Sequence, residues 1–362
     1  MKAAVCRAFG EKLTIEEIDL APPRAGEVRV KLAACAICHS DILFADGAWG
    51  GTLPAVYGHE AAGIVEEVGA GVTHLRPGDH AVVTLIRSCG HCPACSRGAQ
   101  VRCETIFPLD QKSPLTVRAT GETLTHGLRT AAFAEQVVVE ASQAVAIPYD
   151  IPLDGAALLA CGVLTGAGAV LNTAGVRTGD SVVVIGTGGV GLNAVQGAAL
   201  AGALPIVALD LSQAKREAAL RFGATHTADP TSNDLPNFIR SVNHGRLVDW
   251  VFVTVGAKSA MEQATKLIGR GGAVVIVGMP PSGVTASYDP SWLAADEQRI
   301  IGSKMGSARV RVDIPLLVAA YQERRLKLDE LITARYPLEQ INEAIDAVKR
   351  GEALRNVIVF GA

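Results

Sequence analysis

Four cysteines, Cys89, Cys92, Cys95 and Cys103, fall within fifteen residues of a 362-residue chain that holds eight. The first three are too closely spaced for easy mutual bridging. A C-x2-C-x2-C-x7-C loop can instead curl so that four thiolates converge on one tetrahedral ion, and all-sulfur coordination suits zinc. With every position filled by protein, such a metal is structural. A cysteine-rich loop without metal and an iron-sulfur cluster are the alternatives. His91 lies inside the loop, but four cysteines already complete the set.

Reaction chemistry must then lie elsewhere. The stretch AICHSDILFADGAWGGTLPAVYGHE carries Cys38, His39, Ser40 and Asp41, and, twenty-one residues after Cys38, His59 followed by Glu60. Two such residues are a weak metal signal by themselves; Cys161, in LLACGVLTG, is a third candidate. Two cysteines and one histidine plus a solvent position would leave a zinc open as a Lewis acid. Taken singly, each has a plainer reading, because free cysteine is among the most buried residue types and a lone histidine is usually a core or loop residue. Cys6 and Cys35 match no motif and read as core, and His226 and His244 as surface or loop.

A third element is SVVVIGTGGVGLNAVQGAALAGALPIVALD. An apolar run from Ser181 to Ile185 leads into Gly186-x-Gly188-x-x-Gly191, then a helical segment, then a second apolar strand ending at Asp210, nineteen residues past Gly191. In a dinucleotide-binding turn the first glycine makes the bend, the second admits the pyrophosphate and the third lets helix and strand pack. A terminal carboxylate accepts from the ribose hydroxyls and repels a 2'-phosphate, so the expected cofactor is NAD. Lys215 and Arg216 follow within a turn and could partly offset that repulsion.

The elements that must position these residues need two domains, since single cores seldom grow past roughly 250–300 residues. Composition is 49% hydrophobic and 19% charged with a formal net charge of -3, which suggests neither a nucleic-acid nor an acidic-membrane partner. The uncharged stretches 155–176 and 181–209 are broken by glycines and by Asn or Thr, as buried core is and a membrane span is not. Charges at Arg7, Glu11 and Lys12 stand where a signal peptide needs an apolar run, so a cytoplasmic address with reduced thiols is expected. The expected class is α/β plus β-rich. A glycine-rich twisted β catalytic domain covers 1–162, with 304–362 returning to it, and a doubly wound parallel-sheet cofactor domain covers 163–303.

Jointly, CHSD, GHE, the four-cysteine loop, ACGVLTG, GTGGVG ending in an acid, VGMPP and GEALRNVIVF resemble the zinc-containing alcohol dehydrogenases of the medium-chain dehydrogenase/reductase family, over nearly the whole chain. The resemblance implies a GroES-like catalytic domain, a Rossmann domain, two zinc ions per chain and NAD. It makes Cys38, His59 and Cys161 the catalytic zinc ligands, with Glu60 an alternate ligand and Asp41 the acceptor that orients His59. Ser40 would take the alcohol's proton outward. His39 and Arg355 would meet the pyrophosphate and Thr165 and Val190 the nicotinamide, with Val277 and Gly278 touching the nicotinamide side; Gly186, Gly188, Gly189, Gly191, Asp210 and Lys215 complete the cofactor set. Leu43 replaces a histidine that many relatives use in the proton relay. Trp49, Leu85, Arg102 and Phe133 would line the pocket, and primary aliphatic or aryl alcohols are the expected substrates. A thiol adduct of formaldehyde is the second choice. It needs a positive cluster, for which Arg102, Lys112 and Arg118 are candidates, although Phe107 stands where an arginine is wanted. A non-catalytic dinucleotide-binding protein is a remote alternative. The segment from Glu104 to Thr130 resembles an insertion of dimeric relatives, so a homodimer is expected ahead of a tetramer.

Overall fold

The run EVRVKLAACA buries Val28, Val30, Leu32 and Ala34 on one face and leaves Lys31 exposed, the period of two that defines a half-covered strand. In the computed structural model, which describes residues 1–361, this strand, Glu27–Ala36, is central to a seven-stranded sheet. It pairs antiparallel with Glu60–Val68, Gln136–Glu140 and Arg355–Val359. A five-stranded sheet packs within the same unit. Its two edges, Leu115–Val117 and Thr125–His126, both come from the 104–130 segment. Register matters most at one end, where Ala36 lies opposite both Glu60 and Val357. Chain segments far apart in sequence therefore meet just beyond Ala36.

The second unit is built on a six-stranded parallel sheet in the order His226–Ala228, Ile206–Leu209, Val182–Ile185, Val248–Val253, Ile268–Ile276, Arg299–Gly302. The chain moves outward from Val182–Ile185 in one direction and then returns to its other side. This makes the carboxyl end of that strand a topological switch point, where open α/β sheets bind ligands. The inner strands are continuous apolar runs because helices cover both faces. Helix Gly189–Ala201 comes very close to helix Gly162–Gly168: a Cβ on Gly166 would stand 2.2 Å from the Val190 carbonyl oxygen.

The units comprise Met1–Cys161, Arg309–Glu323 and the stretch from Leu328 in the first, and Gly162–Ala308 with Arg324–Lys327 in the second. The expected return at residue 304 thus falls short of the observed one. The turn Met305–Ser307 is held inside the second unit, where Asn172 donates to the Gly306 carbonyl and the Thr173 hydroxyl lies 2.8 Å from those of Ser303 and Ser307. Lys327 belongs there because its amide donates to Gln196 at 2.7 Å. The two uncharged stretches form buried helical turns and a strand-helix-strand unit. Among the described residues no single helix is long and apolar enough to cross a membrane.

Glu140 ends one strand of the larger sheet, 7% exposed, with no hydrogen-bond partner on Oε1. Burial pushes its carboxyl up to about 7 from an ordinary 4.5, against the pull of Arg87. Because the folded value is the higher one, the stability it contributes is complete below pH 4.5 and lost as pH rises through about 7. Glu140→Gln removes that loss, so its melting midpoint should exceed the parent's by about 2–4 °C at pH 8, with the gap closing towards pH 4.5. A gap that did not change with pH would count against this account.

Candidate metal centres and dinucleotide site

The strand ends around Ala36 carry the first cluster. Cys38 caps helix His39–Ala45, His59 and Glu60 open the strand Glu60–Val68, and Cys161 follows the turn Leu158–Ala160. One ligand atom from each of Cys38, His59, Glu60 and Cys161 lies within 4.8 Å of the others, and all four residues are buried. Asp41, 1% exposed, ties the cluster together. Its Oδ1 accepts from His59 Nδ1 and from the Gly58 amide, each at 2.9 Å, and its Oδ2 accepts from the Cys38 amide at 3.0 Å. Gly58 has φ +91°, and a Cβ there would stand 2.5 Å from the Phe133 amide nitrogen, so only glycine lets the chain approach.

With Nδ1 held by Asp41, His59 turns Nε2 into the cluster, where it is buried without a partner. A hydrogen bond from the Cys161 thiol, with His59 alongside, holds the Cys38 thiol well below its usual range. The same bond and burial push Cys161 up. Burial opposes charge on His59, but Asp41 and Cys38 outweigh it and raise its pKa. Burial lifts Glu60 to about 7, against the attraction of Arg355, whose guanidinium donates to its Oε2. Two sulfurs sharing a proton, an orphaned imidazole nitrogen and a carboxylate close behind them fit a tetrahedral divalent ion with one open position. The Asp41–His59 bond is the outer contact such a ligand needs.

The second cluster is local. The sulfurs of Cys89, Cys92, Cys95 and Cys103 lie within 4.8 Å of one another. The Cys92 and Cys95 amides point at the Cys89 and Cys92 sulfurs at 3.2 and 3.4 Å. A hydrogen bond from the Thr105 side chain lowers Cys89 to about 5, and burial raises Cys95 to about 12. His91 is exposed, with its ring on the Cys89 carbonyl oxygen rather than among the sulfurs.

In the second unit Gly186 has φ +88°, a Cβ on Gly191 would stand 1.8 Å from the Gly186 carbonyl oxygen, and a Cβ on Gly188 would meet nothing within 4 Å. The first and third glycines are thus fixed by packing. The second leaves bare backbone open at the start of helix Gly189–Ala201, a cradle that fits a pyrophosphate. Asp210 Oδ2 accepts from the Thr187 amide at 2.7 Å and hydroxyl at 3.1 Å. Val190 and Lys215 are partly exposed, whereas Thr165 is buried, its hydroxyl pointing at the Met305 sulfur at 3.6 Å. The Val277 and Gly278 amides both donate to the Val253 carbonyl oxygen at 2.9 Å, at the carboxyl end of the sheet.

The remaining residues divide. Ser40, Leu43, Trp49 and Leu85 are partly buried, and His39 and Arg102 are exposed. Arg355 is 6% exposed and ion-paired with Glu60, beside the metal ligands. Phe133 is 1% exposed in the apolar core, where it packs against the bare backbone of Gly58. Arg118, a candidate for a positive cluster, is taken up by Asp19 at 2.9 Å and Glu17 at 2.8 Å. Sequence reading missed Thr84, whose hydroxyl donates to the Ala160 carbonyl at 2.6 Å and so braces the backbone before Cys161. It also missed Thr187. Thr84 has no sequence signal, while Thr187 sits inside the glycine motif.

A family model described as zinc-binding dehydrogenase matches residues 189–321, and one described as alcohol dehydrogenase GroES-like domain matches residues 24–149. An NDMA-dependent alcohol dehydrogenase of Amycolatopsis methanolica is 38% identical, across 100% of this chain and 99% of its own. Among solved structures, an alcohol dehydrogenase zinc-binding domain protein from Burkholderia ambifaria superposes with a TM-score of 0.95 at 36% identity, covering 100% of this chain and 99% of that one. The benzyl alcohol dehydrogenase of Acinetobacter calcoaceticus gives 0.92 at 30% identity, covering 99% of each. Fold and site define an oxidoreductase with a GroES-like and a Rossmann unit. The chain belongs to the zinc-containing alcohol dehydrogenases of the medium-chain dehydrogenase/reductase family.

Asp41→Asn should weaken zinc at the Cys38 cluster by about 10–100-fold, because an amide cannot accept from all three donors. Competition against a chromophoric chelator measures this, with the four-cysteine zinc as an unchanged internal reference. An affinity at the Cys38 cluster unchanged from the parent's would refute the role given to Asp41.

Proposed function

We propose that this chain is an NAD-dependent alcohol dehydrogenase that holds two zinc ions, one structural at Cys89, Cys92, Cys95 and Cys103 and one catalytic at Cys38, His59 and Cys161. The observation that carries this reading is the buried, unpartnered Nε2 of His59 facing two thiols of opposite proton affinity. When bound, the zinc supplies a Lewis acid that acidifies an alcohol and NAD supplies the hydride acceptor.

The residues of the chain do the rest. Asp41 fixes His59 and the backbone at Cys38, so the donor set is preorganised. Glu60, neutralised by Arg355 and lifted to about 7 by burial, stands by as an alternate ligand. Ser40 receives the alcohol's proton. Because Leu43 does not titrate, the proton leaves from Ser40 by a route other than that side chain. Gly188 and Gly189 hold the pyrophosphate; Thr165, Val190, Val277 and Gly278 border the nicotinamide; Asp210 and Lys215 hold the ribose. Asp210 supports NAD over NADP by like-charge exclusion of a 2'-phosphate.

Primary aliphatic or aryl alcohols are the proposed substrates. The aromatic group in which Phe44 meets Trp49 edge-on at 5.3 Å and stacks with Tyr57 at 6.0 Å supports them, as does the likeness to the benzyl alcohol dehydrogenase of Acinetobacter calcoaceticus. The pairing of Arg118 with Glu17 and Asp19 removes one cation that a thiol adduct of formaldehyde would need. A homodimer is supported by the uncovered edge strand Arg299–Gly302, with Ile300 40%, Trp292 65% and Tyr288 56% exposed. Eight free cysteines agree with a reducing cytoplasm.

The test is metal content per chain together with turnover of primary, secondary and aryl alcohols and a glutathione-formaldehyde mixture, each with NAD, NADP or NDMA. Two zincs and NAD reduction with primary or aryl alcohols are expected, and Cys38→Ser should lose one zinc and nearly all turnover. One zinc in the parent enzyme, or full turnover by Cys38→Ser, would refute the catalytic site. Turnover with NADP and none with NAD would refute the cofactor assignment.

A further inference from the structure

The turn after strand Ile206–Leu209 carries more charge than a ribose acid alone requires. Asp210 is fixed on both oxygens, by Thr187 on Oδ2 and by the Ser212 amide on Oδ1 at 2.9 Å. Six residues on, in helix Gln213–Arg221, Arg216 reaches back. Its Nη1 donates to the carbonyls of Asp210 at 2.6 Å and Leu211 at 3.0 Å, and lies 3.6 Å from Asp229 Oδ2. Asp229 follows the neighbouring strand His226–Ala228, and its Oδ1 accepts from the Thr231 amide at 2.8 Å and hydroxyl at 2.6 Å. An arginine close behind the ribose position is the usual means of receiving a 2'-phosphate. This one is already held by two carbonyls and a carboxylate that is itself anchored.

We propose that Arg216 is a positioning residue withheld from phosphate, which fixes the turn that aims Asp210, and that Asp229 acts beside Asp210 in excluding the 2'-phosphorylated cofactor by keeping the guanidinium in place. The inference rests on the NAD reading above. Asp210 excludes a phosphate by like charge. Asp229 excludes it by occupying the one group whose planar fork matches phosphate oxygens. Removing Asp210 alone therefore lifts a repulsion without supplying a cation, whereas removing the Asp229 carboxylate as well leaves Arg216 held only by the two carbonyls of its own turn, with its charge open to a phosphate. Lys215 stands on the same turn and is unchanged in every variant below, so its contribution cancels.

The experiment is calorimetric measurement of NAD and NADP dissociation constants on the zinc-loaded enzyme, free of any turnover step. The parent, Asp210→Ser, Asp229→Asn, the double variant, and the double variant with Arg216→Ala are compared. NADP affinity should rise about tenfold with Asp210→Ser and about tenfold again when Asp229→Asn is added, and Arg216→Ala should erase the second gain. A second gain that survives without Arg216 means that Asp229 acts by its own charge, and no second gain means that it takes no part; either result overturns the proposal. A parent enzyme that binds NADP as tightly as NAD overturns the NAD reading itself, and this one with it, before any variant is compared.

Discussion

One carboxylate organises the candidate catalytic site. Asp41 is buried at 1% exposure, and a buried charge is costly unless every lone pair finds a donor. Its three donors are the Cys38 amide, the Gly58 amide and the His59 ring, so the same bonds that satisfy the charge fix the backbone beside both ligand-bearing segments and the tautomer of the imidazole. Strand register makes this possible. Ala36 lies opposite both Glu60 and Val357, so the segments that carry Cys38, Gly58 and Arg355 converge at one end of the sheet. The Glu60–Arg355 pair behind the site follows from the same register, and neither of these buried charges would be tolerated without the other.

The second unit repeats the principle with backbone in place of side chains. Gly186 and Gly191 are fixed because any Cβ would strike Val255 or the Gly186 carbonyl, which brings helix Gly189–Ala201 onto the strand before it and leaves the Gly188 backbone exposed at the helix start. Thr187 then reaches Asp210, joining the glycine turn to the acid that follows the neighbouring strand. Small residues at Gly166 and Gly197 bring the neighbouring helix within backbone contact. Close packing and an accessible amide row are therefore two results of one glycine pattern.

Legibility in the sequence depended on how far apart the interacting residues lie. The four-cysteine loop and the glycine turn are short, and their spacing alone restricts which atoms can converge, so both were readable as motifs. The apolar strands Val182–Ile185 and Ile206–Leu209 are readable for the same reason, since an unbroken apolar run follows from a strand covered on both faces. The packing of Phe133 is not legible, because nothing local says that a glycine seventy-five residues earlier will offer its backbone to that ring. The domain boundary at 304 was early because the turn Met305–Ser307 is held by hydroxyls and amides on a distant helix.

By itself, then, the sequence determined the two kinds of unit, the four-sulfur loop, the dinucleotide turn and the identity of the residues able to bind metal, because each rests on short-range spacing or on periodicity. Only the tertiary structure decided that Thr84 braces the backbone before Cys161, that Arg118 is paired with Glu17 and Asp19, and that Arg216 turns back onto carbonyls and Asp229. Those choices are made by strand register and by the competition of buried polar groups for partners, and both are settled only when the whole chain has folded.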